Sequence, residues 1–298
     1  MGAAKGPVKG KYPDPNVVLE NRDIAVEIFT ETFRREFPTL AREGLEFALF
    51  KTFTVPSVSK LLVATGEFAK DSTRRTEDTE LILSEIIDPF ARIHNTLMDN
   101  LEVTDDDIKL QEERSQKAIE RLNLIHGAYP ISNDDYLFTL ALFLAEPSRW
   151  INSYEWREMD VREMNHYEKK LCRYSPTNWQ VAIPTINHVL STLPAFLRPI
   201  VFKFVPCLLE PNDYIYFGID APSWWVRVLF HVIVYTRAKF IRYCCLPRRK
   251  YLIRTPLRKA ENGRYMPLYE ISRCVYAQGY KVEELGPDKF LPKCPLGF

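Results

Sequence analysis

The chain has 298 residues, of which 46% are hydrophobic and 13% aromatic, so it is too apolar for a disordered protein and long enough to bury a large core. Forty basic and 39 acidic residues leave a formal net charge of +1, and this balance gives no indication of a nucleic-acid partner. The 11 glycines include no Gly-x-Gly-x-x-Gly sequence, which argues against a dinucleotide-binding Rossmann domain.

Cysteines and the N-terminus indicate an intracellular protein. The six cysteines are too sparse for a disulfide scaffold and form no Cys-x-x-Cys pair, so we expect mostly free thiols in a reducing compartment. Residues 1–20 are polar and lack the apolar run of a secretory signal, which predicts a flexible N-terminal arm.

The rest of the chain shows helical spacing of apolar residues and no sustained strand alternation, which predicts an all-α fold. Asn21 or Asp23 can start the first helix, Ser72 or Thr73 can cap the fourth, and Thr104 begins a capping box for the fifth. The predicted helices of the first half span residues 21–37, 40–53, 57–67, 72–87 and 104–126.

The second half predicts further helices separated by prolines. Ser132 opens an apolar helix that we expect to stop at Pro147. The other predicted helices span residues 160–174, 184–193, 195–205 and 224–246. Together, residues 21–246 predict a single helical domain, and the Pro-, Lys- and Arg-rich residues 247–298 predict an extension that wraps around it.

Polar side chains lie at the start of the apolar face of the fourth predicted helix. On a helix, Arg75 and Thr79 share one face, and Asp78 lies at its edge. The negative Asp78 suits a helix first turn, whereas the cation Arg75 does not, which hints at another role for Arg75. The alternative is an ordinary pair of Arg75 with Asp78 or Thr79 on the helix surface.

The sequence also places an imidazole on an apolar helix face. Ile119, Leu122, His126 and Tyr129 are spaced to lie on one side of the fifth predicted helix. A buried imidazole without a partner costs roughly 1–3 kcal/mol. The predicted partner of His126 is therefore a backbone carbonyl, a carboxylate or a metal ion.

Residues 224–246 form an apolar segment interrupted by four basic residues, so they are too charged to span a membrane. They are compatible with a core helix that has snorkelling basic ends, or with a helix that touches a membrane interface. His231 within this segment is a second candidate for a metal ligand or for a group that supports one.

Several motifs in order resemble the rubber oxygenase (latex-clearing protein) family and its fungal relatives, the membrane-associated oxygenases of the mycophenolic acid pathway. Arg-x-x-[Asp/Lys]-Thr at residues 75–79 precedes a helix that ends in Ile-His126-Gly. The motifs that follow are Tyr-Leu-Phe-Thr-Leu, Pro147-Ser-Arg-Trp-Ile, Tyr154-Glu-Trp-Arg157, Pro222-Ser-Trp-Trp, Tyr235-Thr-Arg and Leu246-Pro247. The resemblance covers roughly residues 60–250.

This resemblance implies a helical fold with a globin-like core and a b-type haem. It implies His126 as the proximal ligand of the haem iron, with Arg75 and Thr79 as distal hydrogen-bond donors and Asp78 as a proton source or as a group that orients Arg75. The rubber-cleaving branch has Lys at the position of Asp78, so we expect a smaller substrate than rubber. Arg149 and Arg157 are predicted partners of the haem propionates, since guanidinium groups bind carboxylates well, although surface ion pairs would explain both arginines too.

We therefore expect a haem b-dependent oxygenase that uses O2 to cleave a carbon–carbon double bond in an apolar, isoprenoid-like small molecule. The alternatives are a haem peroxygenase or hydroxylase, and a non-enzymatic protein that binds haem or lipid. No nucleic-acid partner is expected, and the predicted location is the cytoplasm or the surface of an internal membrane.

Overall fold

The computed structural model of the chain describes residues 11–14, 16–160, 163, 175–270 and 275–291. The regular secondary structure in these ranges is helical. Within these ranges no β-strand occurs, so the predicted all-α class is confirmed. The α-helices are α1 (Val17–Glu20), α2 (Arg22–Thr30), α3 (Pro38–Thr52), α4 (Pro56–Thr65), α5 (Glu67–Ile87), α6 (Pro89–Met98), α7 (Asp105–Gly127), α8 (Asn133–Tyr154), α9 (Pro176–Ser191), α10 (Arg198–Phe202), α11 (Val205–Leu208), α12 (Pro211–Phe217) and α13 (Trp224–Cys244). A π-helical stretch, Glu31–Glu36, continues α2, and 3₁₀ turns form at Val282–Glu284 and Asp288–Phe290.

Three predicted helix starts are confirmed by their caps. The Asn21 side chain accepts two backbone N–H groups at the start of α2, and Thr104 forms the predicted capping box at the start of α7. The Ser132 hydroxyl accepts the N–H of Asp135 at the start of α8. These caps satisfy backbone donors that the first helical turn leaves without an intrahelical partner.

Helix α5 begins earlier than predicted and is interrupted at Asp71. The backbone of Asp71 is non-helical (φ −158°, ψ 81°), and its carboxylate accepts the N–H of Arg74 at 3.0 Å. Asp71, and not the predicted Ser72 or Thr73, thus caps the part of α5 that carries Arg75.

The prediction that Pro147 ends its helix is wrong, because α8 continues to Tyr154. Pro147 is buried against α3, where a Cβ atom on Gly44 would lie 2.7 Å from the Pro147 Cα. Close packing of the two helices therefore offsets the backbone hydrogen bond that proline cannot donate. Likewise, Pro184 lies inside α9 and does not start it.

Two other predicted helices differ from the structure or lie beyond what it describes. In place of one continuous helix over residues 195–205, the structure has the short α10 (Arg198–Phe202), and α11 begins only at Val205. The predicted helix over residues 160–174 lies outside the described residues except for Asp160 and Glu163. Helix α13 matches its predicted span closely.

The helices pack around two main apolar clusters. Helices α3 and α8 form the most extensive helix pair, and α9 packs on α4 and α5. The larger cluster joins residues of α3, α8, α9 and α12, including Phe47, Phe50, Trp150, Val181 and Phe217. The second cluster lies between α5, α7 and the C-terminal segment, and includes Leu81, Ala118, Ile125, Tyr280 and Leu285.

The described part of the C-terminal segment lies across α5, α6 and α7. Its buried Arg254 pairs with Glu77 and Glu80 of α5, and Tyr265 and Tyr280 exchange two backbone hydrogen bonds. At the other end of the chain, the Tyr12 hydroxyl donates to Glu27 at 2.8 Å.

Among the described residues, no single helix has both the length and the hydropathy to cross a membrane. Helices α3 and α4 reach these limits only together, and they are bent by 93° relative to each other. Most of α3 is committed to the protein core, with nine of its residues buried.

Candidate functional site

Helices α5 and α7 pack against each other and bring the Arg75 end of α5 near the His126 end of α7. The Arg75 Nη1 atom donates a hydrogen bond to the Thr79 hydroxyl at 2.7 Å, and that hydroxyl donates to the Arg75 carbonyl at 3.0 Å. The two side chains therefore share one face of α5, as their spacing predicts. The remaining N–H groups of Arg75 are the donors that this pair can offer to a ligand.

His126 lies in the last turn of α7 and is half-buried, not fully buried as its predicted apolar face implied. The buried face of α7 instead follows Ala118, Arg121 and Ile125, and the predicted face member Ile119 is exposed. His126 therefore lies at the edge of the packed face, where one side of its ring remains accessible.

The surroundings of His126 favour a neutral imidazole. Desolvation lowers its pKa from the ordinary 6.5, and the positive charge of Arg75 lowers it further. Within the described residues, the ring nitrogens have no hydrogen-bond partner. A neutral imidazole with an unshared nitrogen lone pair is the form that binds a metal.

An apolar stripe of α8 begins beside His126. The ring centroids of His126 and Tyr136 are 5.9 Å apart. Leu140 and Leu144 follow Tyr136 at intervals of four residues, so they lie on the same face of α8, and both are exposed. An accessible imidazole thus adjoins an exposed apolar surface, which suits a flat apolar ligand.

Asp78 makes its hydrogen bond on another side of α5. Its buried carboxylate accepts a hydrogen bond from the Tyr276 hydroxyl of the C-terminal segment. Desolvation raises the pKa of Asp78, while Tyr276 and the backbone of Gly286 oppose that rise. Asp78 is near enough for its charge to act on Arg75, but the hydrogen bond of Arg75 goes to Thr79.

The predicted propionate partners are both engaged with protein carboxylates. Arg149 pairs with Glu146 at 2.7 Å, three residues earlier on α8. Arg157 pairs with Glu36 and, at 2.9 Å, with Glu163. The ion-pair alternative for these two arginines is therefore what the structure shows.

The other histidines lie apart from this arrangement. His231 is exposed on α13, where its ring lies near Phe230 at a centroid distance of 6.0 Å. The Nδ1 atom of His94 lies 2.9 Å from the Phe90 carbonyl oxygen, and that of His188 lies 3.0 Å from the Thr73 hydroxyl. His166 lies outside the described residues.

Sequence reasoning missed Tyr276, Tyr136 and Arg121 as neighbours of the site. Arg121 donates to the carbonyls of Leu285 and Phe290, and its charge acts on Asp78. Tyr276 lies 198 residues from Asp78 along the chain, so no local spacing could relate the two. Tyr136 lies in the first turn of α8, soon after α7 ends at Gly127. The short connection between these two helices was the signal that could have placed Tyr136 near His126.

A cleft of about 1210 Å³ lies between α7 and the C-terminal segment. Its lining carries many charged side chains, among them Arg74, Glu113, Lys117 and Lys281, and it includes neither Arg75 nor His126. Within the described residues, no group of three or more His, Cys, Asp or Glu side chains is arranged to hold a metal ion.

No protein-family profile and no solved structure matches the chain. Proteins of Penicillium species are similar to it, and two of them illustrate the match. The ER-bound oxygenase mpaB' of Penicillium brevicompactum is 24% identical over 266 residues, which cover 73% of this chain and 58% of that protein. The ER-bound oxygenase mpaB of Penicillium roqueforti (strain FM164) is 30% identical over 145 residues, which cover 47% of this chain and 42% of that protein.

The matched region corresponds to about half the length of these relatives. The match agrees with the fungal resemblance that the ordered motifs predict. The chain is therefore similar, over part of its length, to fungal proteins that are named ER-bound oxygenases.

Proposed function

We propose that the protein is a haem b-dependent oxygenase that uses O2 to cleave a carbon–carbon double bond in an apolar, isoprenoid-like small molecule. The observation that carries this proposal is the half-buried imidazole of His126 near Arg75, which itself donates a hydrogen bond to Thr79. It occurs in a chain whose homologues are named oxygenases.

The residues present fit a haem group. Haem iron is held mainly by its macrocycle and needs one axial side chain from the protein, and His126 can supply it. The exposed face of α8 that starts at Tyr136 offers apolar contact for one side of a macrocycle. When bound, haem with O2 would supply the oxidising chemistry, which the protein side chains lack.

The role of the protein is to place hydrogen-bond donors beside the group. Arg75 keeps N–H groups beyond the one shared with Thr79, and these would orient and stabilise negative charge that develops on oxygen. Asp78 would hold a proton, because its raised pKa brings its titration closer to neutral pH. Alternatively, its negative charge would orient the guanidinium group of Arg75. Since Asp78 stands where the rubber-cleaving branch has Lys, the expected substrate is a prenylated or polyunsaturated small molecule.

We also propose that the protein associates peripherally with an internal membrane. The support is that similar fungal proteins are named ER-bound.

The first experiment is the visible spectrum of the freshly purified protein. We expect an intense Soret band with about one haem per chain, as the single-ligand site requires. His126→Ala should strip or greatly weaken haem binding, whereas His231→Ala, at the exposed second candidate, should not. Full haem occupancy and an unchanged spectrum in His126→Ala would contradict His126 as the ligand.

The second experiment identifies the reaction. Incubation with prenylated and polyunsaturated olefins under ¹⁸O₂ should give two carbonyl fragments that carry the label. Label in a single hydroxyl or epoxide on an intact chain would instead identify a hydroxylase or peroxygenase. Absence of any product from haem-loaded protein would favour a protein that only binds haem or lipid.

A further inference from the structure

The outer face of α13 is mostly apolar, with Arg227, His231, Thr236 and Arg242 also exposed on the helix, and it is not covered by described residues. The 21-residue helix is about 31 Å long and packs on α8 and α11 through a narrow inner face that includes Val226, Phe230 and Ala238. Its exposed large apolar side chains are Trp224, Trp225, Val228, Leu229, Val232, Ile233, Tyr235, Phe240 and Tyr243, and Leu246 follows just after the helix. Exposed apolar areas of this kind mark interaction surfaces.

The charges of the same segment have one sign. Residues 224–250 contain no Asp or Glu, and their seven basic residues are Arg227, Arg237, Lys239, Arg242, Arg248, Arg249 and Lys250. Arg237 pairs with Glu155, and Lys250 pairs with Asp99. Arg242 and Arg249 are exposed and have no ion pair among the described residues.

We infer that this outer face of α13 docks in the interface of a bilayer that contains anionic lipids. A helix with a wide apolar face flanked by basic residues lies in the plane of the interface, with its apolar side chains at the headgroup–acyl boundary. Tryptophan and tyrosine favour the same depth, and Trp224, Trp225 and Tyr243 stand near the two ends of the helix. Basic residues at the C-terminal end match the negative headgroups.

Lipid explains the pattern better than a protein partner does. A protein that covered this face would have to match a row of basic side chains with acidic ones along the rim, whereas an anionic bilayer supplies negative charge everywhere. The charges also prevent the helix from crossing the bilayer, so it can only lie on it.

This inference rests on the proposed membrane association and names the surface responsible. It is independent of the haem proposal, because α13 carries neither His126 nor Arg75. Failure of the spectral experiment would therefore leave it intact.

The test is flotation of the full chain with vesicles of phosphatidylcholine plus phosphatidylserine, compared with vesicles of phosphatidylcholine alone. The key variant combines Trp224→Ser, Val228→Ser and Val232→Ser, which lie at intervals of four residues on the exposed face. The matched control combines Leu19→Ser, Leu101→Ser and Leu268→Ser, which are equally exposed leucines elsewhere. All proteins are compared by circular dichroism to confirm that they fold.

We expect the wild type and the control to bind the anionic vesicles, and the α13 variant to bind at least about tenfold more weakly. Arg242→Gln combined with Arg249→Gln should reduce the preference for anionic over neutral vesicles several-fold. Brominated lipids should quench tryptophan fluorescence in the wild type and quench it much less when Trp224 and Trp225 are replaced by Phe.

Two results would overturn the inference in distinguishable ways. If the wild type binds neither kind of vesicle, the membrane association of this chain is wrong, and self-association that disappears in the α13 variant would identify a protein contact instead. If the wild type binds but the folded α13 variant binds equally well, membrane association stands and its assignment to α13 is wrong.

Discussion

At the residue scale, the candidate site depends on how burial and a single neighbouring charge act on His126. Desolvation and Arg75 both lower the pKa of the imidazole, so the ring is neutral at neutral pH. The same Arg75 is held by a hydrogen bond to Thr79, four residues along the helix. Helices α7 and α5 thus bring a Lewis base, the imidazole of His126, near a positively charged hydrogen-bond donor, Arg75.

The role of Arg75 can be separated from general stability by comparison with its neighbour. Arg75→Ala should keep the haem and slow turnover by about 10²-fold, the scale typical for loss of a positioned electrostatic donor. Arg74→Ala is the matched control, since Arg74 instead pairs with Asp288 at the C-terminal segment. Haem content from the Soret band and turnover from O2 uptake are measured for both variants. Equal turnover in the two variants would reduce the Arg75–Thr79 pair to a helix-surface interaction.

At the element scale, the crossing of α3 and α8 shows why a proline inside a helix misleads sequence reasoning. Pro147 carries the local signature of a helix stop. Yet α8 is held on both sides of Pro147 by its packing on α3 and by the apolar cluster around Trp150. Because Gly44 has no side chain, the two backbones can approach closely enough for this packing.

Gly44→Ala should therefore destabilise the protein by about 1–3 kcal/mol, the usual cost of overpacking a close contact. The new Cβ would lie 2.7 Å from a backbone atom of Pro147, so the helices must move apart. Gly127→Ala serves as the control, because no atom lies within 4 Å of its added Cβ. Urea unfolding measures both variants. A Gly44→Ala protein as stable as the control would mean that the crossing relaxes without cost.

At the scale of the whole molecule, the C-terminal segment is held on the helical body by ion pairs, one group of them buried and one at the surface. Arg254 pairs with Glu77 and Glu80, and Arg258 pairs with Asp107 at the start of α7. The same segment delivers Tyr276 to Asp78. The segment therefore belongs to the environment of the candidate site as well as to the core.

The Asp107 contacts predict a specific pH dependence of stability. Arg258 and the Thr104 cap hold the pKa of Asp107 well below its usual value of about 3.9. A lowered folded-state pKa adds stability that is fully present above the unfolded pKa and is lost as the pH falls toward the folded pKa. Asp107→Asn should therefore cost about 1 kcal/mol at neutral pH, a typical value for a cap, and the difference from wild type should shrink below about pH 4.

Denaturant unfolding of wild type and variant at several pH values measures this difference. Asp106→Asn is the control, because Asp106 lies in the same first turn, is exposed and has no ion pair among the described residues. A difference that stays constant from neutral to acid pH would show that the charge of Asp107 does not contribute.

Local chemistry was enough to predict much of the fold. Caps at Asn21, Thr104 and Ser132 and the spacing of apolar residues determine where the helices form, because those signals act within one or two turns. The order of the motifs was likewise sufficient to predict the relationship to the fungal oxygenases. The shared face of Arg75 and Thr79 follows from the helical period alone.

Only the tertiary structure decided which groups meet. The half-buried edge position of His126, the pairing of Arg157 with Glu36, and the approach of Tyr276 to Asp78 depend on contacts between distant parts of the chain. The continuation of α8 through Pro147 has the same origin. The physical reason is that side-chain burial and pairing depend on which helices pack together, and a helix period specifies a face without specifying its partner.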